Sequence, residues 1–216
     1  MVWDKNQKAR RVLKPAVFIA ALVPLALLVE KIVTNDLGAN PVETLSRYTG
    51  DWTLRFLLIA LAVTPLRRLT GWGALSRFRR MLGLFAFFYA GLHFLSYAWL
   101  DQYFTWSEIV KDVAKRPFVT VGFASFLMLI PLAATSTGGM IRRLGARRWQ
   151  ALHRAVYAIG IGGVIHFLWL VKSDIAQPLI YAVALAILLG LRLVWALRAR
   201  TAQMKTGSQT VAVAGS

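Results

Sequence analysis

The chain has 216 residues, of which 57% are hydrophobic, and a formal net charge of +17. Its mean hydropathy is +0.56, and ordinary soluble domains are only about 45–50% apolar. The composition therefore excludes an ordinary soluble protein. The absence of cysteine excludes disulfides, thiolate zinc sites, iron–sulfur clusters and covalently attached c-type haem.

Six apolar runs follow one another along the chain. They cover residues 15–34, 50–66, 81–100, 117–135, 150–171 and 178–197. A membrane helix needs about 20 apolar residues, and the strands of an outer-membrane barrel would alternate in period two instead. The second run is the weakest, because Arg55 interrupts it. We expect an all-α integral membrane protein with six transmembrane helices in a single domain over residues 1–200, followed by a disordered cytoplasmic tail, residues 201–216.

The charged residues are unevenly distributed between the ends of these runs. Lysine and arginine concentrate before the first run, between runs two and three, between runs four and five, and after the last run. All acidic residues except Asp4 lie at the opposite ends. The positive-inside rule then places both termini in the cytoplasm, and two short loops, residues 35–50 and 101–116, on the opposite side. A nucleic-acid-binding protein would gather its charge on one folded surface, so the sequence favours a lipid bilayer and no nucleic acid.

The only three histidines lie inside apolar runs, where an imidazole is costly. His93 follows Arg80 by 13 residues and His166 follows Arg154 by 12, which is about 20 Å and about 18 Å along a helix. Both runs have the same direction, so we expect the two rings at nearly the same depth. His153 lies about 20 Å below His166, and run three has no histidine at that depth.

Two imidazoles at the same depth in the membrane favour a haem as the bound cofactor. Zinc and copper also bind imidazole, but zinc requires four ligands and neither carboxylate nor cysteine is near. Haem asks the protein for only one or two axial ligands. Aromatic and glycine residues surround both histidines, although membrane helices also pack through small residues. The alternative for His93 and His166 is a pair of interhelical hydrogen bonds. His153 could ligate iron or form an interfacial hydrogen bond beside Trp149, and both interpretations stay open.

Two other functions fit intramembrane histidines. They could relay protons or metal ions in a transporter, or they could be structural residues in a scaffold subunit. A haem protein would be coloured and would lose its pigment in His93→Ala and His166→Ala, whereas a transporter would be colourless.

The segments "RRMLGLFAFFYAGLHFLSYAW" and "WQALHRAVYAIGIGGVIHFLWLVKSD" resemble the signature helices of the ferric-reductase-like transmembrane family. With "GANPVETLSRYTGDWTLRFLLIALAVTPLRR", they are similar to its bacterial branch of haem-binding subunits of protein-methionine-sulfoxide reductases. The resemblance covers roughly residues 10–200.

The resemblance implies a b-type haem protein in the bacterial inner membrane, an electron-transfer subunit rather than the site of substrate chemistry. It implies a cytoplasmic flavin reductase or a membrane quinol as donor, and a periplasmic molybdopterin-containing methionine-sulfoxide reductase as acceptor. FMN is an expected second cofactor. The arginine-rich loops could hold its phosphate, but membrane topology alone also explains their charge, and more simply. His93 and His166 would ligate one haem iron. Arg55 would pair with a propionate, or would only extend to the headgroups. The wider family holds two stacked haems, but His153 lacks a histidine partner for the second.

Overall fold

The computed structural model describes the backbone of residues 9–171 and 173–214, with the side chains of 11–171, 173–199 and 201. The regular elements of this part of the chain are all helical. They are α1 (Lys14–Val33), α2 (Pro41–Thr70), α3 (Ser76–Leu95), α4 (Trp106–Lys115), α5 (Pro117–Ala134), α6 (Gly138–His153), α7 (Ala155–Leu170) and α8 (Ala176–Ala214). A 3₁₀ turn precedes α3, and π-helical turns precede α1 and extend α3 through Asp101.

Five helical stretches of the described chain are long and apolar enough to cross a membrane. They are Arg11–Val33, Gly73–Asp101, Pro117–Ala134, Gly138–Leu170 and Ala176–Ala199. The sequence predicts six spans, and α2, which contains the second apolar run, does not meet the same standard of length and composition. At 30 residues α2 is long enough, so its charged residues set it apart.

Helix α2 lies at the centre of the bundle, between two apolar clusters. Phe56, Leu57 and Ala60 belong to a cluster formed with α1, α3 and α5. Leu58 and Leu61 belong to a second cluster, formed with α7 and α8. A helix surrounded by protein has less need of a lipid-like surface than the outer helices, which explains why its polar residues are tolerated.

Two arginines that could have reached the headgroups instead tie α2 to its neighbours. Arg55 Nε donates to the hydroxyl of Tyr181 at 2.9 Å. Arg192 Nη1 donates to the hydroxyl of Tyr157 at 2.8 Å, and Nη2 donates to the carbonyl oxygen of Leu61. Both arginines therefore make interhelical contacts, which snorkelling alone would not require.

Helix α2 begins nine residues earlier than the apolar run that predicts it. Pro41 occupies its first turn, and the side chain of Asn40 accepts a hydrogen bond from the backbone N–H of Glu43 at 3.3 Å. The Asn40 amide also donates to the Glu43 carboxylate at 3.1 Å. This is a capping arrangement with proline just inside the helix, and it makes much of the predicted loop 35–50 helical.

Helix α4 corrects the expectation that residues 101–116 form a loop. Its ten residues bury Ile109 and expose Trp106 and Val110. The helix ends at Lys115, and Pro117 begins α5 after an extended Arg116, because the residue before a proline avoids helical geometry.

Helix α8 extends to Ala214. The predicted disordered tail, residues 201–216, falls mostly on residues whose side chains lie outside the described part of the chain, so it stays a prediction. Helix α6 is interrupted at Gly145, which has a φ of 74°. Only glycine adopts this backbone conformation at no steric cost.

Candidate functional site

Helices α3 and α7 bring the side chains of His93 and His166 together. Their ring centroids lie 6.0 Å apart, with the ring planes inclined at 75°. Bonds from a metal to imidazole nitrogen are about 2.0–2.1 Å long, so two rings on opposite sides of one ion have centroids about 6 Å apart. The spacing of the pair therefore fits shared ligation of one ion.

Each ring is anchored at Nδ1 by a backbone carbonyl of a neighbouring helix. His93 Nδ1 lies 2.9 Å from the carbonyl oxygen of Ser46 on α2, and 3.4 Å from the hydroxyl of the same serine. His166 Nδ1 lies 2.7 Å from the carbonyl oxygen of Phe118 on α5. A carbonyl only accepts, so each Nδ1 carries the proton and donates. Each Nε2 then presents a lone pair, which is the tautomer that a metal requires.

A cavity of about 480 Å³ adjoins both rings, within the usual range of roughly 300–1,000 Å³ for ligand sites. Its deep end is apolar, with Leu57, Leu129 and Ile159. Five phenylalanines line its walls: Phe94, Phe118, Phe123, Phe126 and Phe167. Phe94 and Phe126 stack with centroids 4.9 Å apart. Flat apolar walls beside two imidazoles match the requirements of a planar macrocycle.

The mouth of the cavity is polar and carries the two arginines Arg47 and Arg116. Arg116 Nε contacts Asp112 at 2.8 Å, and the Tyr97 hydroxyl donates to the other oxygen of that carboxylate at 2.9 Å. Asp112 and Arg116 lie in α4 and at its end, so this helix contributes to one side of the mouth. Arginines at the edge of an apolar cavity can bind carboxylates of a ligand whose body lies inside.

Arg55, the residue expected to pair with a propionate, does not line this cavity. Its guanidinium lies over the Trp52 ring, 4.7 Å from the centroid, and 3.9 Å from Asp51. With its hydrogen bond to Tyr181, these contacts hold the side chain towards α8. The geometry favours Arg47 and Arg116 for the predicted role.

His153 lies apart from the pair, beside a smaller cavity of about 250 Å³. Its Nε2 is 3.1 Å from the Thr135 hydroxyl, and its ring stacks on Trp149 with centroids 3.9 Å apart. Arg79 and Arg80 line the same cavity. The nitrogen that would ligate iron has a hydrogen-bond partner here, which favours the interfacial interpretation of His153.

In the described ranges, 9–171 and 173–214, no group of three or more histidine, cysteine, aspartate or glutamate side chains is arranged to hold a metal ion. A pair of imidazoles supplies only two ligands. The donor set therefore suits an ion that brings further ligands of its own, as the iron of a haem does.

Comparison with known proteins agrees with the family resemblance of the sequence. Residues 49–164 match the family model described as "Ferric reductase like transmembrane component". The chain belongs to this ferric reductase-like transmembrane family. The matched residues include His93, His153 and the α2 segment that carries Arg55, and they end two residues before His166.

Several curated relatives of this family carry the name "Protein-methionine-sulfoxide reductase heme-binding subunit MsrQ". The relative from Herminiimonas arsenicoxydans is 54% identical over 203 residues, which is 93% of each chain. The relative from Rhodospirillum rubrum is 54% identical over 86% of this chain and 89% of its own. The relative from Bordetella pertussis is 53% identical over 83% and 88%. No solved structure gives a significant match. A ferric reductase-like chain with several apolar helices is a multi-pass membrane protein.

The residues that the sequence does not single out are the acceptors and the small residues around the two rings. Ser46 and Phe118 act through backbone carbonyls, and Gly50 and Gly122 lie against the imidazoles. The sequence does contain one regularity, because each glycine follows its acceptor residue by four positions. This spacing can be recognised only when the helices that face the histidines are known.

Proposed function

We propose that the chain is the haem-binding, electron-transferring membrane subunit of a protein-methionine-sulfoxide reductase. The observation that carries this proposal is the His93–His166 pair, with centroids 6.0 Å apart and both Nδ1 atoms bonded to carbonyls. The printed names of its relatives, which describe heme-binding subunits of such a system, support it.

A haem b bound here supplies reversible one-electron chemistry. His93 and His166 hold the iron from two helices, and the Nδ1 anchors keep both rings in one tautomer and orientation. The phenylalanine walls exclude water and lower the local polarity, which affects the reduction potential. Arg47 and Arg116 bind the propionates at the mouth, in the place first expected for Arg55.

We place the protein in the bacterial inner membrane, with six spans and both termini in the cytoplasm. Helix α2 supplies the sixth span, because it packs along α3 and is enclosed by protein on both sides. In this orientation the mouth of the large cavity faces the periplasm, where Glu43, Asp101 and Asp112 lie. The acceptor is a periplasmic molybdopterin-containing methionine-sulfoxide reductase.

An electron donor on the cytoplasmic side requires a further carrier, since the apolar core is about 30 Å thick. The cavity beside His153 is the candidate position, because Arg79 and Arg80 can bind a phosphate or a carboxylate there. FMN, or a second haem ligated by His153 in place of its hydrogen bond to Thr135, is the proposed carrier, with a flavin reductase or a quinol as donor. Haem and flavin contents per chain, measured in the wild type and in His153→Ala, decide between the two.

The test of the main proposal is the colour of the purified protein in detergent. We expect a Soret band and one haem per chain at the His93–His166 site, lost in His93→Ala and in His166→Ala. Arg55→Gln is the matched control, and its haem content should equal that of the wild type. A colourless, folded wild-type protein, or full haem binding in both alanine variants, would contradict the proposal and favour the histidine-relay transporter.

A further inference from the structure

We infer that Gly50 and Gly122 are positioning residues that give each histidine access to its carbonyl anchor, and so determine which nitrogen of the ring carries the proton. This inference rests on the haem ligation proposed above. It concerns two glycines that touch the imidazoles rather than the iron.

The two anchors share one local design. The carbonyl of Ser46 accepts from His93, and Gly50 follows four residues later on α2. The carbonyl of Phe118 accepts from His166, and Gly122 follows four residues later on α5. In an α-helix the N–H of residue i+4 donates to the carbonyl of residue i. The second lone pair of the carbonyl is free for another donor.

A side chain at position i+4 would obstruct that donor. The Cα–Cβ bond of a helical residue tilts towards the N-terminus, so the Cβ of residue i+4 lies over the preceding turn, beside the carbonyl of residue i. Glycine has no Cβ and leaves this space to the imidazole. Neither residue has a positive φ among the described glycines, so the close approach of the ring, rather than backbone conformation, accounts for glycine here.

The distances show how tightly each ring fills the space. A Cβ on Gly122 would lie 2.6 Å from Nδ1 and 2.8 Å from Cε1 of His166. A Cβ on Gly50 would lie 3.2 Å from the same two atoms of His93. The first contact forces the ring to move, whereas the second requires a shift of a few tenths of an ångström. An alanine should therefore be far more disruptive at residue 122 than at residue 50.

The arrangement occurs twice, on two different pairs of helices. The histidine and its acceptor are separated by 47 residues in the α2–α3 pair and by 48 residues in the α5–α7 pair. Packing that merely needs a small residue between helices would not place it four positions after the carbonyl acceptor in both pairs. The recurrence points to the anchor itself as the reason for each glycine.

The chemical consequence is a change in the donor strength of the ligand. An Nδ1–H that donates to a carbonyl makes the Nε2 lone pair more basic, and loss of such an outer partner typically weakens metal binding about 10–100-fold. When the imidazole becomes a weaker donor, ferric iron loses more stabilisation than ferrous iron does. The reduction potential of the remaining haem should therefore rise.

The experiment compares Gly122→Ala and Gly50→Ala as purified holoproteins, by absorption spectroscopy, haem dissociation and redox titration. In Gly122→Ala we expect loss of the low-spin, six-coordinate spectrum and haem affinity at least tenfold lower. In Gly50→Ala we expect the six-coordinate spectrum to persist, with less than tenfold loss of affinity and a more positive midpoint potential.

One further variant serves as the control. Gly190→Ala places the same change in α8, where a Cβ would meet nothing within 4 Å, and should leave spectrum and potential unchanged. Ser46→Ala tests which atom of Ser46 anchors His93, because it removes the hydroxyl that lies 3.4 Å from Nδ1 but keeps the carbonyl. Its midpoint potential should shift less than that of Gly50→Ala, and a shift as large would overturn the assignment of the carbonyl as the anchor.

A wild-type spectrum and potential in Gly122→Ala would overturn the inference. If Gly122→Ala does not yield a folded protein, judged by size-exclusion profile and helical circular dichroism, Gly50→Ala decides, and an unchanged midpoint potential there is the overturning result. Absence of haem from the wild type would instead refute the proposed function, so the two failures are distinguishable.

Discussion

Arg55 and Arg116 illustrate why an arginine near a cofactor cavity cannot be assigned from its position in the chain. Arg55 lies in α2 and Arg116 lies between α4 and α5, and both segments border the cavity, yet only Arg116 lines it. The guanidinium of Arg55 lies against Trp52 and bonds to Tyr181. A long side chain can extend in several directions from the same backbone position, and the partners within reach determine which one it takes.

Replacement of Arg116 by glutamine should accelerate haem dissociation about twofold to fivefold, the size expected for an exposed ion pair worth up to about 1 kcal/mol. The change removes the positive charge at the mouth and the contact with Asp112. Lys115→Gln is the control, because Lys115 is exposed and does not line the cavity. Transfer of haem to apomyoglobin measures the rate, and equal rates in both variants would contradict the role of Arg116.

Arg55→Gln should change the stability of the fold rather than the binding of haem. We expect haem dissociation at the wild-type rate and a loss of stability of about 0.6–1.7 kcal/mol, typical of one interhelical hydrogen bond in a membrane protein. Thermal unfolding in detergent measures the loss, with Tyr181→Phe as the partner variant that removes the same bond. A faster release of haem from Arg55→Gln would restore the propionate role that the sequence suggests.

Residue chemistry explains which part of the site the sequence could predict. His93 and His166 stand out because imidazole is rare and costly in an apolar helix. Their acceptors do not stand out, because every residue has a carbonyl and only the packing of α2 on α3, and of α5 on α7, selects Ser46 and Phe118. The contribution of a glycine to such a contact is equally invisible before the helix that faces it is known.

At the level of elements, the apolar runs predict the outer helices well and the amphipathic ones poorly. Helix α1 starts and ends within one residue of its run, and α5 starts at the same residue as its run. Helix α4 was missed, because a window of about 20 residues averages a ten-residue amphipathic segment with its polar surroundings. Its apolar residues Trp106, Ile109, Val110 and Val113 do follow helical spacing.

Ile109 should hold α4 against the bundle. It is 3% exposed, whereas the adjacent Val110 is 66% exposed. We expect Ile109→Ala to cost roughly 2–5 kcal/mol of local stability and to speed amide hydrogen exchange in residues 106–115. Val110→Ala is the matched control and should exchange like the wild type. Equal exchange in both variants would show that Ile109 does not secure this helix.

For the whole molecule, charge distribution predicts an orientation, and the structure explains why one predicted span has so many charged residues. A hydropathy window scores how well a segment suits contact with lipid, but α2 contacts other helices on both of its faces. A central helix is therefore the one for which sequence windows are least informative.

Native cysteine is absent, so single cysteines can report on topology directly. Ala39 precedes α2 and Ser76 begins α3, and both are exposed. If α2 crosses the membrane, an impermeant maleimide added to spheroplasts should label Ala39→Cys and should label Ser76→Cys only after lysis. Labelling of both variants in intact spheroplasts would contradict a sixth span.

The histidine pair has a consequence for how the bundle is held together. One ring is anchored within the α2–α3 pair and the other within the α5–α7 pair, and the cavity lies between these two pairs. An iron bonded to both imidazoles would be a further cross-link between these two pairs, which already share one apolar cluster. At a ligand concentration 1,000 times its dissociation constant, such linkage contributes about 4 kcal/mol, so biogenesis of this membrane protein should depend on the supply of its pigment.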